Sequence, residues 1–402
     1  MKKNNVLKKL LYILFLIPFF EPRCMPVFFP KISYILYTLL PCPVLLIFAL
    51  FTIKRKCFTK IIVYILLFMS ILLFSTIINN GDLKEILKIS FEVIGLTLLI
   101  NYGLTNDAKN FLDCSNIFFT LLVFINLTTI ILYPNGMYID SSNYTENWFF
   151  GYRNIHILFI LPAIIFNFSR SYYLNYNLNK YNYIYLITCL VSMILSKSGT
   201  SIIGLFLIVA LLSLYRAKRT FSIKRYANIS LTAFVSIVIL RIQEIFKFII
   251  VDIMKKDLTF TGRTYIWNDV EGLILKKPLF GYGQEFKNIR LIKTRIPSYH
   301  AHNQFLEIAY KTGAVGMLIF LIIISLCVKK LNNFKEYSIA KFFSICLFAV
   351  LIMMITEAYV ANNILYLFVI FYNVDNLIKV RGEKNEENIK KSNVTDAKRH
   401  GT

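Results

Sequence analysis

Residues 61–78 read IIVYILLFMSILLFSTII, a run with no charged side chain. At a rise of about 1.5 Å per residue, a helix of this length nearly crosses a hydrocarbon core of roughly 30 Å. Comparable apolar runs lie at 7–20, 32–53, 86–104, 114–133, 155–169, 183–196, 201–215, 226–242, 304–328, 340–357 and 361–378. The pattern predicts an all-α fold: a polytopic integral membrane protein with about twelve transmembrane helices. Composition agrees with it. Of 402 residues, 57% are hydrophobic and only 17% charged, whereas a soluble domain carries about 25% charged residues. A cytosolic enzyme, a secreted scaffold and a disordered chain are all excluded on that ground. The start, MKKNNVLKKLLYILFLIPFF, has the basic and apolar regions of a signal peptide. Glu21, Pro22 and Arg23 follow it in place of a small-residue cleavage site, so an uncleaved first span is expected.

The side of each loop follows from its basic residues, because Lys and Arg collect in short cytoplasmic loops. Placing residues 1–9 inside and alternating puts Lys54–Lys60, Arg170–Lys180, Arg216–Arg225, Lys329–Lys341 and the tail from Lys379 on the same side. The net charge of +23 is thereby explained without nucleic acid. The expected division is 1–242 for about nine N-terminal membrane helices, 243–304 for one long extracytoplasmic loop, 305–378 for about three further spans, and 379–402 for a disordered cytoplasmic tail. The long loop holds ten Lys/Arg against six Asp/Glu, but long loops translocate largely regardless of charge. Within it, Ile242, Ile245, Phe246, Ile249, Ile250 and Ile253 form an amphipathic stripe. A second helix is expected from about Thr264 to Leu275, ended by Pro278 and the turn Gly281-Tyr282-Gly283.

Ionisable residues in or beside membrane helices are costly and point to function. In this topology Glu92, Arg153, His156, Lys197, Arg241, Glu307 and Glu357 all fall on the outer half, with Arg263, His300 and His302 in the long loop. The densest cluster is Ser298-Tyr-His300-Ala-His302-Asn303-Gln-Phe-Leu-Glu307. Histidine is the usual proton-transfer group near neutral pH. With a helix starting near Asn303, Glu307 shares a face with it. A basic set, including Arg263, Lys287 and Arg290, suits a phosphate or pyrophosphate ligand. The seven cysteines form no CxxC pair, and His300 and His302 lack a third ligand nearby, so no metal and no cofactor are expected.

Four landmarks occur in order: Gly262-Arg263 with Trp267; Lys277-Pro278-Leu279-Phe280-Gly281-Tyr282-Gly283; His300-Ala-His302-Asn303 with Leu306-Glu307; and Gly313-Ala-Val-Gly316. This set resembles the O-antigen ligase and polymerase family, the Wzy-type repeat-unit polymerases and the lipopolysaccharide O-antigen ligases. Gly151-Tyr-Arg153-Asn154 and Ser196-Lys197-Ser198 resemble further landmarks upstream. At the latter the family often has Ser-Arg, and Lys197 keeps the charge without the planar fork.

The resemblance implies the chemistry. A glycan on undecaprenyl pyrophosphate is the donor, a hydroxyl of another lipid-linked glycan is the acceptor, and the pyrophosphate lipid leaves at the outer face of a bacterial cytoplasmic membrane. His302, ahead of His300, is then the general base, and Glu307 orients a catalytic His or holds the acceptor sugar. Arg263, Arg153, Lys197, Asn303 and Arg290 hold pyrophosphate or substrate. Membrane lipid, a flippase and a chain-length regulator are the expected partners. A repeat-unit polymerase is preferred to a ligase that delivers the glycan to a final acceptor. A transporter or flippase is third, because neither inverted repeats nor paired broken helices are visible.

The topology has a direct check. In a cysteine-free background, a membrane-impermeant thiol reagent added outside should label Lys287→Cys and leave Arg219→Cys unlabelled. Labelling only at 219 would reverse the orientation.

Overall fold

In the computed structural model each of these apolar runs is helical over most of its described residues; the structure describes residues 2–140, 145–175, 180–216, 222–240, 263–286, 300–359 and 364–378. The helices are α1 (Lys2–Leu16), the short α2 (Met25–Phe28) and α3 (Pro30–Ser33), α4 (Pro41–Lys54), α5 (Lys60–Ile78), α6 (Leu83–Asn106), α7 (Ala108–Leu132) and α8 (Ile157–Asn175). They continue with α9 (Lys180–Leu195), α10 (Gly199–Arg216), α11 (Ile223–Phe234), α12 (Arg263–Lys276), α13 (Gln304–Asn333), α14 (Ser338–Met353) and α15 (Leu365–Tyr372). About 80% of the structure is helical. Among the described residues, five helical stretches are long and apolar enough to cross a membrane: Pro30–Lys54, Lys60–Ile78, Ala108–Leu132, Arg153–Leu174 and Gln304–Asn333.

One element departs from the all-α expectation. Strands β1 (Tyr138–Asp140), β2 (Thr145–Trp148) and β3 (Gly151–Tyr152) form a small antiparallel sheet. Tyr138 pairs with Asn147, and Trp148 with Gly151. His156 fixes this sheet to the bundle. Its buried ring lies 3.0 Å from the Gly151 carbonyl and 3.5 Å from the Asn126 amide, against Trp148 and Phe150.

Local chemistry sets several helix starts. Asp82 accepts a hydrogen bond from the Glu85 amide at 3.0 Å and begins α6. Pro41 opens α4, where its missing N–H costs nothing. The amphipathic stripe at 242–253, Arg241 and the tail from Lys379 lie outside the described residues.

Polar contacts sort the helix ends into two sets. At one end Asp113 of α7 pairs with Lys9 of α1 at 2.8 Å and Arg170 of α8 at 2.6 Å. Nearby, Asn101 of α6 bonds Thr59 at the start of α5, the Cys57 carbonyl and Asn373 after α15. The opposite end gathers the close of α5, the start of α6, the start of α13 and the segment after α14. There Ser75 bonds the Lys311 carbonyl at 2.9 Å, the Asp82 amide bonds the Gln284 carbonyl at 2.7 Å, and the Gln304 amide bonds the Met354 carbonyl at 2.8 Å.

The run 304–328 is not one straight helix. At Gly313 φ is +61° and ψ −161°, so α13 breaks about two turns from its start. A break strands two carbonyls and two amides. The segment 278–283 supplies all four partners. Tyr282 and Gly283 amides donate to the carbonyls of Tyr310 and Lys311, at 2.8 and 2.9 Å. The Ala314 and Val315 amides donate to the carbonyls of Pro278 and Leu279, at 2.7 and 3.2 Å. A Cβ on Gly313 would lie 2.3 Å from the Leu279 backbone. Gly313→Ala should therefore destabilise the protein by at least about 1–2 kcal/mol, the usual penalty for an L-residue in left-handed backbone. Gly272→Ala, in open space within α12, should be neutral or stabilising by up to about 1 kcal/mol. Melting curves of the two variants in detergent check this.

Candidate active site

The segment His300–Asn303 is held from several sides. The Ala301 amide donates to Glu307 Oε2 at 2.8 Å, and the Ala301 carbonyl accepts from the buried Trp267 indole at 3.0 Å. Asn303 caps α13, its Oδ1 accepting from the Phe305 and Leu306 amides at 2.9 and 3.0 Å. Its Nδ2 donates to the Ile355 carbonyl at 2.8 Å. The Asn303 side chain is thus committed to the fold, where the sequence suggested a substrate contact.

These restraints hold His302 at φ +49°. Lys56, Asn80 and Lys197 also have positive φ, but each ends a helix, where a left-handed residue is ordinary. His302 precedes one. Left-handed backbone outside a cap costs of order 1–3 kcal/mol and persists where neighbours over-determine it, which is characteristic of functional sites.

Glu357, beyond the end of α14, joins the cluster. Its Oε1 accepts from Arg263 Nη2 at 2.8 Å and from Asn154 Nδ2 at 3.2 Å. Arg263, at the start of α12, also donates to the Thr356 carbonyl. The second oxygen, Oε2, faces His302 Nδ1 at 3.9 Å, too far for a hydrogen bond. That nitrogen is buried with no hydrogen-bond partner among the described residues. Burial, and then the adjacent His302, push His300 down to about 4, so its imidazole is neutral at physiological pH. The two imidazole centroids are 4.0 Å apart.

Glu307 sits one turn into α13, fully enclosed, and pairs with Lys311 at 2.7 Å. It acts on the backbone between the two imidazoles through its bond to Ala301. Lys311 was not singled out from the sequence, although its i, i+4 spacing from Glu307 in an apolar helix is a readable ion-pair signal.

Asn154 links this cluster to an open cleft of about 300 Å³. Ser198 Oγ donates to Asn154 Oδ1 at 3.4 Å, so the residues before them, Arg153 and Lys197, are brought together. Both line the cleft with Tyr152 and Glu146. Arg153 lies 5.3 Å from the Tyr152 ring centroid and donates to its hydroxyl at 3.0 Å. Arg263, His300, His302, Glu307, Arg153 and Lys197 thus fall within one connected region. Glu92 pairs with Lys88 at 3.9 Å and stands apart. Arg290 lies outside the described residues. The chief residue that the sequence reading left out of the site is Glu357, although its position at the end of an apolar run marked it as unusual.

Residues 184–321 match the model of a family described as O-antigen ligase. Over that stretch, about a third of its length, the chain is similar to the O-antigen ligase family. The stretch includes Arg263, His300, His302 and Glu307, while Arg153 and Glu357 fall outside the match. Over 85 residues the chain is 31% identical to a protein of Rickettsia felis named "Putative polysaccharide ligase", covering 18% of this chain and 21% of the relative. A Rickettsia conorii protein of like name is 28% identical over 85 residues, with the same coverage. The chain therefore spans about a fifth of the length of the curated relatives it matches.

Proposed function

We propose that this protein is a bacterial membrane glycosyltransferase that moves a glycan from a polyprenyl-pyrophosphate carrier to an acceptor hydroxyl. The observation that supports it is the joining of His302, Arg263 and Glu357 at one end of an apolar bundle, beside a cleft carrying Arg153 and Lys197. In this reading the bundle crosses the cytoplasmic membrane about twelve times with both termini inside. The segment 243–304 lies outside and covers the site.

The acceptor hydroxyl gives its proton to His302 Nε2 as its oxygen attacks the anomeric carbon. The bond from that carbon to the phosphate oxygen breaks, and the lipid pyrophosphate departs with the electron pair. Arg263, with Arg153 and Lys197, offsets the charge that develops on it. Pyrophosphate and the Glu357 carboxylate compete for the same guanidinium. When the donor takes Arg263, Glu357 is released to accept the His302 Nδ1–H, which fixes the tautomer that leaves Nε2 free as the base. Glu307 and Asn303 hold the backbone that carries the imidazole.

A polymerase adds the glycan to another lipid-linked repeat unit, working with a flippase and a chain-length regulator. A ligase delivers it to a final acceptor, and the family description and the names of the Rickettsia proteins fit that second reading at least as well. Deletion separates them. Loss of a polymerase leaves single repeat units on the final acceptor, and loss of a ligase leaves long chains on the polyprenyl lipid.

The site reading is tested by complementation of that deletion. His302→Ala should lower product by about 10²–10⁴-fold, the usual cost of removing a general base, with protein abundance unchanged. Glu357→Gln should lower turnover as well, and adding it to His302→Ala should cost little more, since residues acting as a unit are non-additive. Wild-type product from His302→Ala would remove that residue from the mechanism.

A further inference from the structure

The end of the bundle opposite His302 carries a second cleft, of about 390 Å³, between α1, α4 and α6. That volume lies within the range of small-molecule sites, about 300–1,000 Å³. Its walls are aromatic and already packed against one another. Phe48 meets Phe15, Phe51 and Tyr102 with ring centroids 5.2, 5.8 and 5.6 Å apart, and Phe51 meets Tyr102 at 5.4 Å. Phe51 is 41% exposed, so the wall is open rather than sealed core.

Two cations stand at the mouth. Lys8, in α1, and Arg55, just past α4, line the cleft, are exposed, and make no ion pair among the described residues. Their neighbours differ. Lys9, next in sequence to Lys8, is tied to Asp113, and Arg170 is tied to the same carboxylate. One carboxylate, Asp107, also borders the cleft, but both of its oxygens accept hydrogen bonds from the Asn110 amide, at 2.9 and 3.2 Å. The Asp107 charge remains, so the cleft presents two open cations against one carboxylate, a net positive charge over an aromatic floor. Basic pockets between helices on the cytoplasmic side suit anionic lipid headgroups.

We infer that this cleft binds one anionic phospholipid of the cytoplasmic leaflet, with its phosphate between Lys8 and Arg55 and the upper part of an acyl chain against Phe15 and Phe51. Two features select this ligand. The paired cations favour a net negative headgroup over a zwitterionic one, and the aromatic wall favours an amphiphile over free phosphate. The site is separate from the proposed glycan-transfer centre and does not depend on its chemistry; its place in the cytoplasmic leaflet rests on the topology of that reading.

The test uses the full-length protein in detergent, with phosphatidylglycerol, phosphatidylcholine and inorganic phosphate as probes. Native mass spectrometry should show one retained phosphatidylglycerol per chain at a concentration where phosphatidylcholine is not retained. Inorganic phosphate in molar excess should not displace it. The double variant Lys8→Gln/Arg55→Gln should weaken that retention at least fivefold. The control Lys54→Gln/Lys60→Gln removes two exposed cations from the same end but outside the cleft, and should retain the lipid as wild type does. Equal retention of the zwitterionic lipid, displacement by phosphate, or equal loss in both double variants would overturn the assignment. The first two measurements need only the wild-type protein, so they decide the matter even where a variant fails to accumulate.

Discussion

The arrangement rests on four backbone hydrogen bonds. In hydrocarbon an unpaired peptide group costs several kcal/mol, so a break in a membrane helix survives only where something else takes the free groups. The break at Gly313 is of this kind, and residues 278–283 take all four groups. The same segment is tied to the end of α5, through Asn79 Nδ2 to the Gly281 carbonyl at 3.0 Å and the Gln284 amide to Thr76 Oγ1 at 3.0 Å. Tyr282 stacks on Tyr310 with centroids 4.8 Å apart. The first two turns of α13 are thereby fixed independently of the long apolar run beyond them. Those turns carry Glu307 and Lys311, and they begin at the Asn303 cap that sets His302.

From that anchor the chemistry builds outward. Glu307, neutralised by Lys311, grips the Ala301 amide, while Trp267 grips the Ala301 carbonyl. Arg263 and Trp267 lie on one helix, so the residue that clamps the loop and the residue that meets Glu357 move together. Glu357 connects the parts. Its carboxylate reaches α12 through Arg263 and the start of α8 through Asn154, and it faces the imidazole of His302. One acidic group thus stands where a guanidinium and an imidazole meet.

Much of this was legible in the sequence, and the reasons differ by element. Long apolar runs announce helices, because only the helix pairs every backbone group locally. A helix start near Asn303 and a helix from about Thr264, ended by turn chemistry at Pro278, were expected, and the structure has these helices starting at Gln304 and Arg263. The sheet over 138–152 was not legible. Its strands span two to four residues, too short for an alternating pattern to show. The break at Gly313 was hidden too, since an isolated glycine in a helical pattern is ordinarily tolerated. Its signal lies in the partner segment, where Pro278, Gly281 and Gly283 prepare the approach. Glu357 meets Arg263 across 94 residues of sequence, and spacing carries no information at that range. His156, grouped with the outer polar residues on charge alone, is a buried link between sheet and helix.

The central claim is that a lipid pyrophosphate binds at the His302 end of the bundle, on Arg263. The most direct measurement is a structure of the protein with a non-hydrolysable polyprenyl-pyrophosphate analogue. The account predicts phosphate oxygens within hydrogen-bond distance of Arg263 and of Arg153 or Lys197, with Glu357 moved from Arg263 onto His302 Nδ1. A pyrophosphate bound at the Lys9 end, or one bound with the Arg263–Glu357 pair undisturbed, would contradict it.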